Sequence, residues 1–316
     1  MQKRKKRVAS CYEYFKRQNG VFVEVITLGQ SYTKPVVMCL GFFDCMHVGH
    51  VELLSVAKKI AADNAQVALF TFSNNHFETL KRPTKLIYTF PERLALYQSL
   101  GVDVVVAAQF DEQFMSASGN EFLSQIAKFN LAGVVCGADY TCGSDLTTAT
   151  NVKEFFNKIA PVQIVQLVKR GEQKVCSSLV RQLLTDCNVD GANQLLSEPF
   201  FFLGEVAHGR SVGHSLGFPT VNLQIPAEKI VPLGVYGGVC QFDGKTYKAI
   251  VNVGAQPTFG CGGNVLEAHL LNFDGNLYGK TIKISLTKFL RPIKKFENAT
   301  ELLLQLQRDL EAVQND

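Results

Sequence analysis

The stretch GFFDCMHVGH, residues 41–50, sets His47 and His50 three positions apart directly after the apolar run PVVMCL. Imidazoles donate or accept hydrogen bonds and, once protonated, carry charge, so a pair of them suits the stabilisation of an anion under attack. A strand ending at Leu40, a glycine-containing turn and a helix starting near Gly49 would put both rings beside a helix N-terminus. Free backbone N–H groups and the positive end of the helix dipole favour phosphate there. Gly41 and Gly49 would let the backbone approach such a ligand closely. Two other readings fit the same residues: a pair of structural histidines, or a metal site with HxxH spacing, which needs further ligands that this stretch does not supply.

A turn of this kind requires a sheet behind it. Up to about residue 185 the chain alternates short, continuously apolar runs with helical patterns. VVMCL, QVALFTF, DVVVAA, LAGVVCG and VQIVQLV read as strands covered on both faces. VELLSVAKKIAA has helical spacing, and Thr89 with Glu92 and Ser118 with Glu121 form capping-box patterns at two further helix starts. The alternation predicts an α/β domain with a parallel sheet and right-handed crossovers, whose ligands gather at the carboxyl ends of the strands.

After the helical stretch SSLVRQLLTDCNVDGANQLLSEP the grammar changes. FFFLGEV, GVYGGVCQF, YKAIVNVG, LEAHLL and TIKISLTKFL are separated by Gly, Pro and Asp turns with no room for crossover helices, which predicts a small antiparallel β-barrel. A last helix, with Asn298 and Glu301 in capping-box register and Leu303, Leu306, Leu310 and Val313 along one face, should pack against it. The boundary is placed near residue 186, giving domains 1–186 and 187–316.

Composition narrows the function classes. The 316 residues, 47% of them hydrophobic, can build two globular domains. The net charge of +4 owes much to the opening MQKRKKR, read as a solvated tail, so no nucleic-acid partner is expected. Neither a signal-peptide core nor 18 consecutive apolar residues occur, which predicts a soluble, cytoplasmic protein without a membrane partner. Nine scattered cysteines without a CxxC pair argue against a disulfide framework or a structural zinc site. The sequence leaves the oligomeric state open.

GFFDCMHVGH resembles the G-x-F-D-x-x-H-x-G-H signature of nucleotidylyltransferases, specifically the adenylyltransferase half of bacterial bifunctional riboflavin kinase/FAD synthetases. The resemblance implies a Rossmann-like nucleotidylyltransferase domain in which His47 and His50 bind ATP phosphates and stabilise the transition state, with Gly41, Phe42, Asp44 and Gly49 also on ATP. CSSLVR matches a second element, which would bring Ser177, Ser178 and Arg181 to the outer phosphates; a helix N-terminus with two hydroxyls and an arginine one turn in suits anions. GEVAHGRSVGHSLGFPTVNL is similar to the riboflavin kinase signature, and GVYGGV, NVGAQPTFG and LEAHLLNFDGNLYG follow in the family's order. By that resemblance Thr220 and Asn222 organise ATP phosphates and Mg²⁺, Glu267 is the base, Gly209, Gly213, Gly217 and Pro219 belong to the ATP loop, and Asp139 and Arg291 contact flavin. Mg²⁺ beside a carboxylate base is the chemistry that phosphoryl transfer to a primary alcohol requires.

The implied pathway takes riboflavin and ATP to FMN and ADP, then FMN and ATP to FAD and pyrophosphate, with small molecules as the only expected partners. Three segments depart from the family: Cys45 stands where a glycine is common, TFSNNHF lacks the usual prolines and shifts His76 by one position, and GADYTCG lacks an arginine that Thr141 cannot replace. His76 is given no role. Two alternatives therefore stay open: a riboflavin kinase whose first domain is inactive or repurposed, and a flavin-binding regulator.

Overall fold

The first sheet is parallel throughout, and its central strands are buried on both faces. Its members are β1 (Glu24–Thr27), β2 (Val36–Leu40), β3 (Gln66–Phe72), β4 (Val104–Ala108), β5 (Leu131–Gly137) and, after the short ribbon of β6 (Thr141–Cys142) and β7 (Thr147–Thr148), β8 (Val162–Val165). They lie in the order β1-β4-β3-β2-β5-β8. The chain moves from β2 out through β3 to β4, then crosses back to β5 on the other side of β2, so the topological switch point falls at the carboxyl end of β2. The computed structural model describes residues 23–207, 220–255 and 264–314, and the chain divides at Ser177/Ser178 into two units.

Every residue of β2 is buried, and α1 (Val48–Ala61) covers it through Leu53, Leu54, Ala57 and Ala61. The short α2 (His76–Thr79) follows β3. Both sequence-predicted capping boxes form: Thr89 with Glu92 opens α3 (Phe90–Ser99), and, after α4 (Glu112–Ser116), Ser118 with Glu121 opens α5 (Gly119–Ile126). VQIVQLV yields only four strand residues, because pairing ends at Val165↔Gly137, where β5 itself stops. β1, not expected from the sequence, is a four-residue edge strand with a single buried side chain, Ile26, too short and too polar to carry a periodic signal.

The turn after β2 is braced from below. Phe43 adopts φ 51°, a left-handed conformation costly for a bulky residue, and its ring is buried. Tyr97 of α3 donates its hydroxyl to the Phe43 carbonyl at 2.7 Å. Thr71 of β3 donates to the Phe42 carbonyl at 2.6 Å, and the fully buried Arg93 donates to the Thr71 hydroxyl and to the Phe72 carbonyl, each at 2.7 Å.

After α6 (Ala149–Phe156), the ribbon β9 (Lys169–Arg170) and β10 (Gln173–Lys174), α7 (Ser177–Thr185) and α8 (Val189–Asn193), the second unit is an antiparallel sheet. Its strands are β11 (Phe201–Glu205), β12 (Thr220–Gln224), β13 (Gly234–Phe242), β14 (Lys245–Ala255), β15 (Asn264–Leu270) and β16 (Thr281–Arg291), ordered β11-β16-β13-β14-β15-β12. A bridge between Ala207 and Asn222 brings the two ends together and nearly closes the barrel. The terminal helix α9 (Ala299–Gln314) packs Val313 against Val235, Ile250 and Leu271, as its apolar stripe predicts. Asn298 caps it by accepting from Glu301 N at 2.9 Å, while the Glu301 carboxylate reaches Glu297 N rather than closing a capping box on Asn298. Among the described residues no helix is long and apolar enough to cross a membrane.

Removing the Tyr97 hydroxyl strips the strained Phe43 carbonyl of its buried donor. Tyr97→Phe is expected to cost roughly 1–3 kcal/mol of unfolding free energy, read from the shift of the urea midpoint. An unchanged midpoint would show that the brace carries no load.

Candidate functional site

His47 is the N-cap of α1, and its side chain rather than a Ser or Asp does the capping: Nδ1 accepts from Gly49 N at 3.1 Å and from His50 N at 3.2 Å. An Nδ1 that accepts leaves the ring proton on Nε2. His50 is the opposite tautomer, because its Nδ1 donates to the Cys45 carbonyl. The rings stack with centroids 3.7 Å apart, and Phe43 lies edge-on to His50 at 4.9 Å. Gly49 is explained by the same geometry, since a Cβ there would stand 3.1 Å from the His47 ring. Burial pushes the His47 imidazole down to about 2, helped by the neighbouring His50 and Lys174. Burial likewise takes His50 down to about 4, against the opposing pull of the Cys45 carbonyl and of Asp139. Both rings are neutral near pH 7; an arriving polyphosphate would favour protonation of His50, whereas the His47 Nδ1 is already occupied as an acceptor. Among the described residues no cluster of three or more His, Cys, Asp or Glu could hold a metal.

The two histidines line a cavity of about 760 Å³. Gly41, Phe42, Gly49, Asp139 and Ser177, all expected from the sequence, line it with them. Asp44 does not: it is wholly buried, and its carboxylate accepts from Ile87 N at 3.2 and 3.3 Å, bracing the turn from within. Phe42, Phe72, Phe110, Phe114 and His76 also line it and pack their rings on one another. The His76 ring meets Phe42 edge-on at 4.2 Å, so the histidine that the sequence left without a role lies on the cavity wall. The lining thus combines groups that suit phosphate with an aromatic surface that suits a flat ring.

Lys174 was missed. Among the described residues it is the one Lys or Arg that lines the cavity, it ion-pairs with Asp139, and it lies near enough to His47 to disfavour its protonation. Its position in the ribbon just before the CSSLVR motif was the available signal. Thr141 also lines the cavity and carries no charge. Ser177 opens α7 and accepts a long contact from the Cys45 thiol at 3.7 Å; Ser178 and Arg181 follow on that helix, beyond the division between the units.

In the second unit the strand register gathers the expected residues on one face. Asn222 of β12 lies opposite Glu267 of β15, and Thr220, two residues earlier, lies opposite His269. The Asn222 Oδ1 is buried and accepts no hydrogen bond among the described residues, a vacancy that fits a hard cation such as Mg²⁺. Arg291 closes the same cross-strand row, but Asp309 of α9 already engages its guanidinium, at 2.8 Å from Nη2 and 3.1 Å from Nε. Gly209, Gly213, Gly217 and Pro219 lie outside the described residues. β12 itself was not expected as a strand, because its Pro-Thr-Val-Asn sequence reads first as a motif and only second as an alternating pattern.

A switch-point sheet with histidines at its first helix, joined to an antiparallel barrel, is the architecture of a nucleotidylyltransferase-like fold linked to a riboflavin-kinase-like one. Family profiles agree: FAD synthetase matches residues 29–179 and riboflavin kinase residues 196–316. The bifunctional riboflavin kinase/FMN adenylyltransferase of Bacillus subtilis is 32% identical, with 86% of this chain and 90% of that protein aligned. Its Escherichia coli counterpart is 29% identical over 89% of this chain and 93% of that protein. A crystal structure of a Streptococcus pneumoniae protein described as a macrolide-efflux protein superposes with TM-score 0.82 and 31% identity, covering 93% of this chain and all of that one. The chain belongs to the bifunctional riboflavin kinase/FMN adenylyltransferase family.

The histidine pair carries a stability signature. With both folded pKa values below the unfolded value near 6.5, the unfolded chain takes up protons first as pH falls, so stability present above pH 6.5 drains away toward pH 4. By pH 5 each histidine should have cost roughly 2 kcal/mol. The thermal midpoint is expected to fall further between pH 7.5 and 5 for the wild type than for a His47→Asn/His50→Asn double variant. Equal falls would refute the assignment.

Proposed function

We propose that this chain phosphorylates riboflavin to FMN and then adenylylates FMN to FAD. The carrying observation is the cavity of the first unit, whose lining combines a neutral dihistidine helix N-terminus with a cluster of aromatic rings. Residues 1–186 are assigned to adenylyl transfer and residues 187–316 to the kinase. In adenylyl transfer, an FMN phosphate oxygen attacks the α-phosphorus of ATP, the bond to the β-phosphate oxygen breaks, and pyrophosphate leaves. The His47 Nε2–H and a protonated His50 would face the charge that builds there, while Lys174 and Ser177 would hold the outer phosphates; Ser178 and Arg181 are assigned to phosphate by the family resemblance alone. The aromatic rings of the lining would receive the isoalloxazine ring, and Asp139, which ion-pairs with Lys174, is assigned to the flavin by the family resemblance.

In the kinase step the primary hydroxyl of riboflavin attacks the γ-phosphorus, Glu267 takes the hydroxyl proton and ADP departs. Thr220 and Asn222 would hold Mg²⁺, whose contribution is to neutralise phosphate charge. Arg291, held by Asp309, would border the flavin through its remaining guanidinium edge.

Chromatography of the purified chain with riboflavin, ATP and Mg²⁺ tests both steps in one time course. FMN should appear first and FAD after it, and His47→Ala should lower FAD formation at least about a hundredfold while leaving FMN formation intact. FMN accumulating without FAD would leave only the kinase. Lys174→Met should raise KM for ATP in the FMN-to-FAD reaction about tenfold, with Lys174→Arg recovering most of the loss. An unchanged KM would remove Lys174 from the phosphate site.

A further inference from the structure

Resting on the kinase reading above, we propose that Asn252 binds the ribityl hydroxyls of riboflavin and so delivers the reacting alcohol to Glu267. Glu267 has a partner on each side. Asn222 of β12 lies opposite it across one edge of β15, and Asn252 of β14 lies opposite it across the other. Residues paired across an antiparallel ladder project to the same face, so one row carries Asn222, Glu267, Asn252 and then Val235 and Arg291. Strands lie about 4.8 Å apart, which roots the two amides about 10 Å from each other with the carboxylate midway.

Both amides are unfinished. Asn222 Oδ1 and Asn252 Oδ1 are shut off from solvent and accept no hydrogen bond among the described residues. An orphaned buried acceptor is destabilising, and two of them flanking one carboxylate call for a ligand that supplies donors. The two oxygens serve different ligands. Asn222 shares its strand and face with Thr220, an oxygen pair fit for a hard cation and the phosphates it carries. Asn252 has Val235 as its next neighbour in the row, 4% exposed and packed under α9, so that side is apolar and unsuited to a hydrated ion. A polyol attached to a flat apolar ring matches it: hydroxyl protons for Oδ1, hydrocarbon for the valine side. Phosphoryl donor, base and alcohol then follow one another along the row.

The test separates the ribityl chain from the ring. In the riboflavin kinase assay, Asn252→Ala should raise KM for riboflavin about tenfold, the loss of one buried hydrogen bond to substrate, while KM for ATP stays within about twofold. Lumiflavin, which keeps the ring and lacks the ribityl chain, should inhibit the wild type and Asn252→Ala with the same Ki. Asn252→Leu, of similar volume but with no acceptor, should show the same rise in KM with a thermal midpoint equal to or above that of the wild type, since it removes an orphaned polar atom. An unchanged riboflavin KM, or a lumiflavin Ki that rises in parallel, overturns the role of Asn252 and leaves the kinase reading standing. A wild-type chain that makes no FMN overturns the kinase reading itself.

Discussion

The first unit depends on one hydrogen-bonding arrangement, the His47 imidazole accepting from the backbone of Gly49 and His50. It starts α1, keeps the ring unprotonated, fixes the tautomer that presents Nε2–H, and stacks one histidine on the other. The arrangement holds only if the preceding turn is rigid. That accounts for the left-handed Phe43, the buried Asp44, and the donation of Thr71, itself held by Arg93, and of Tyr97 to two consecutive carbonyls. The parallel sheet supplies the rest, because a switch point at β2 leaves the space above this turn open to a ligand.

The second unit meets a similar demand by other means. Its candidate groups stand on neighbouring strands, aligned by ladder register rather than by a helix end. The row carries two buried, uncharged amide oxygens, which on the proposed reading would meet a cation and a polyol, and its arginine is already engaged by Asp309. A helix N-terminus gives direction to a field, whereas a sheet row gives spacing, and phosphoryl transfer to an alcohol needs spacing first.

Much of this was legible in the sequence, for physical reasons. The strands QVALFTF and LAGVVCG emerge with the expected bounds because apolar runs buried on both faces leave no competing pattern, and the capping boxes at Thr89 and Ser118 are local chemistry that tertiary context did not override. His47, His50, Asn222 and Glu267 could be named through motifs. The residues that escaped owe their position to pairing or crossover geometry that one-dimensional spacing does not encode: β1 at a sheet edge, His76 on the cavity wall, Lys174 at the cavity mouth, and Asn252 opposite Glu267. Asp44 shows the converse, a motif residue whose carboxylate the fold uses as an internal strut.

The cross-strand row of the barrel has a consequence for how activity reports on folding. β14 and β15 each have a hydrogen-bonded neighbour on both sides, so Asn252 and Glu267 cannot be displaced by the fraying of a single edge. Their mutual spacing survives until the ladder itself opens, and that opening is the cooperative unfolding of the unit. During thermal or chemical denaturation the Asn252–Glu267 spacing would therefore be lost only with the barrel, whereas Thr220 and Asn222 stand on β12 at the end of the ladder, so turnover would fail there first and activity would fall before the fold does.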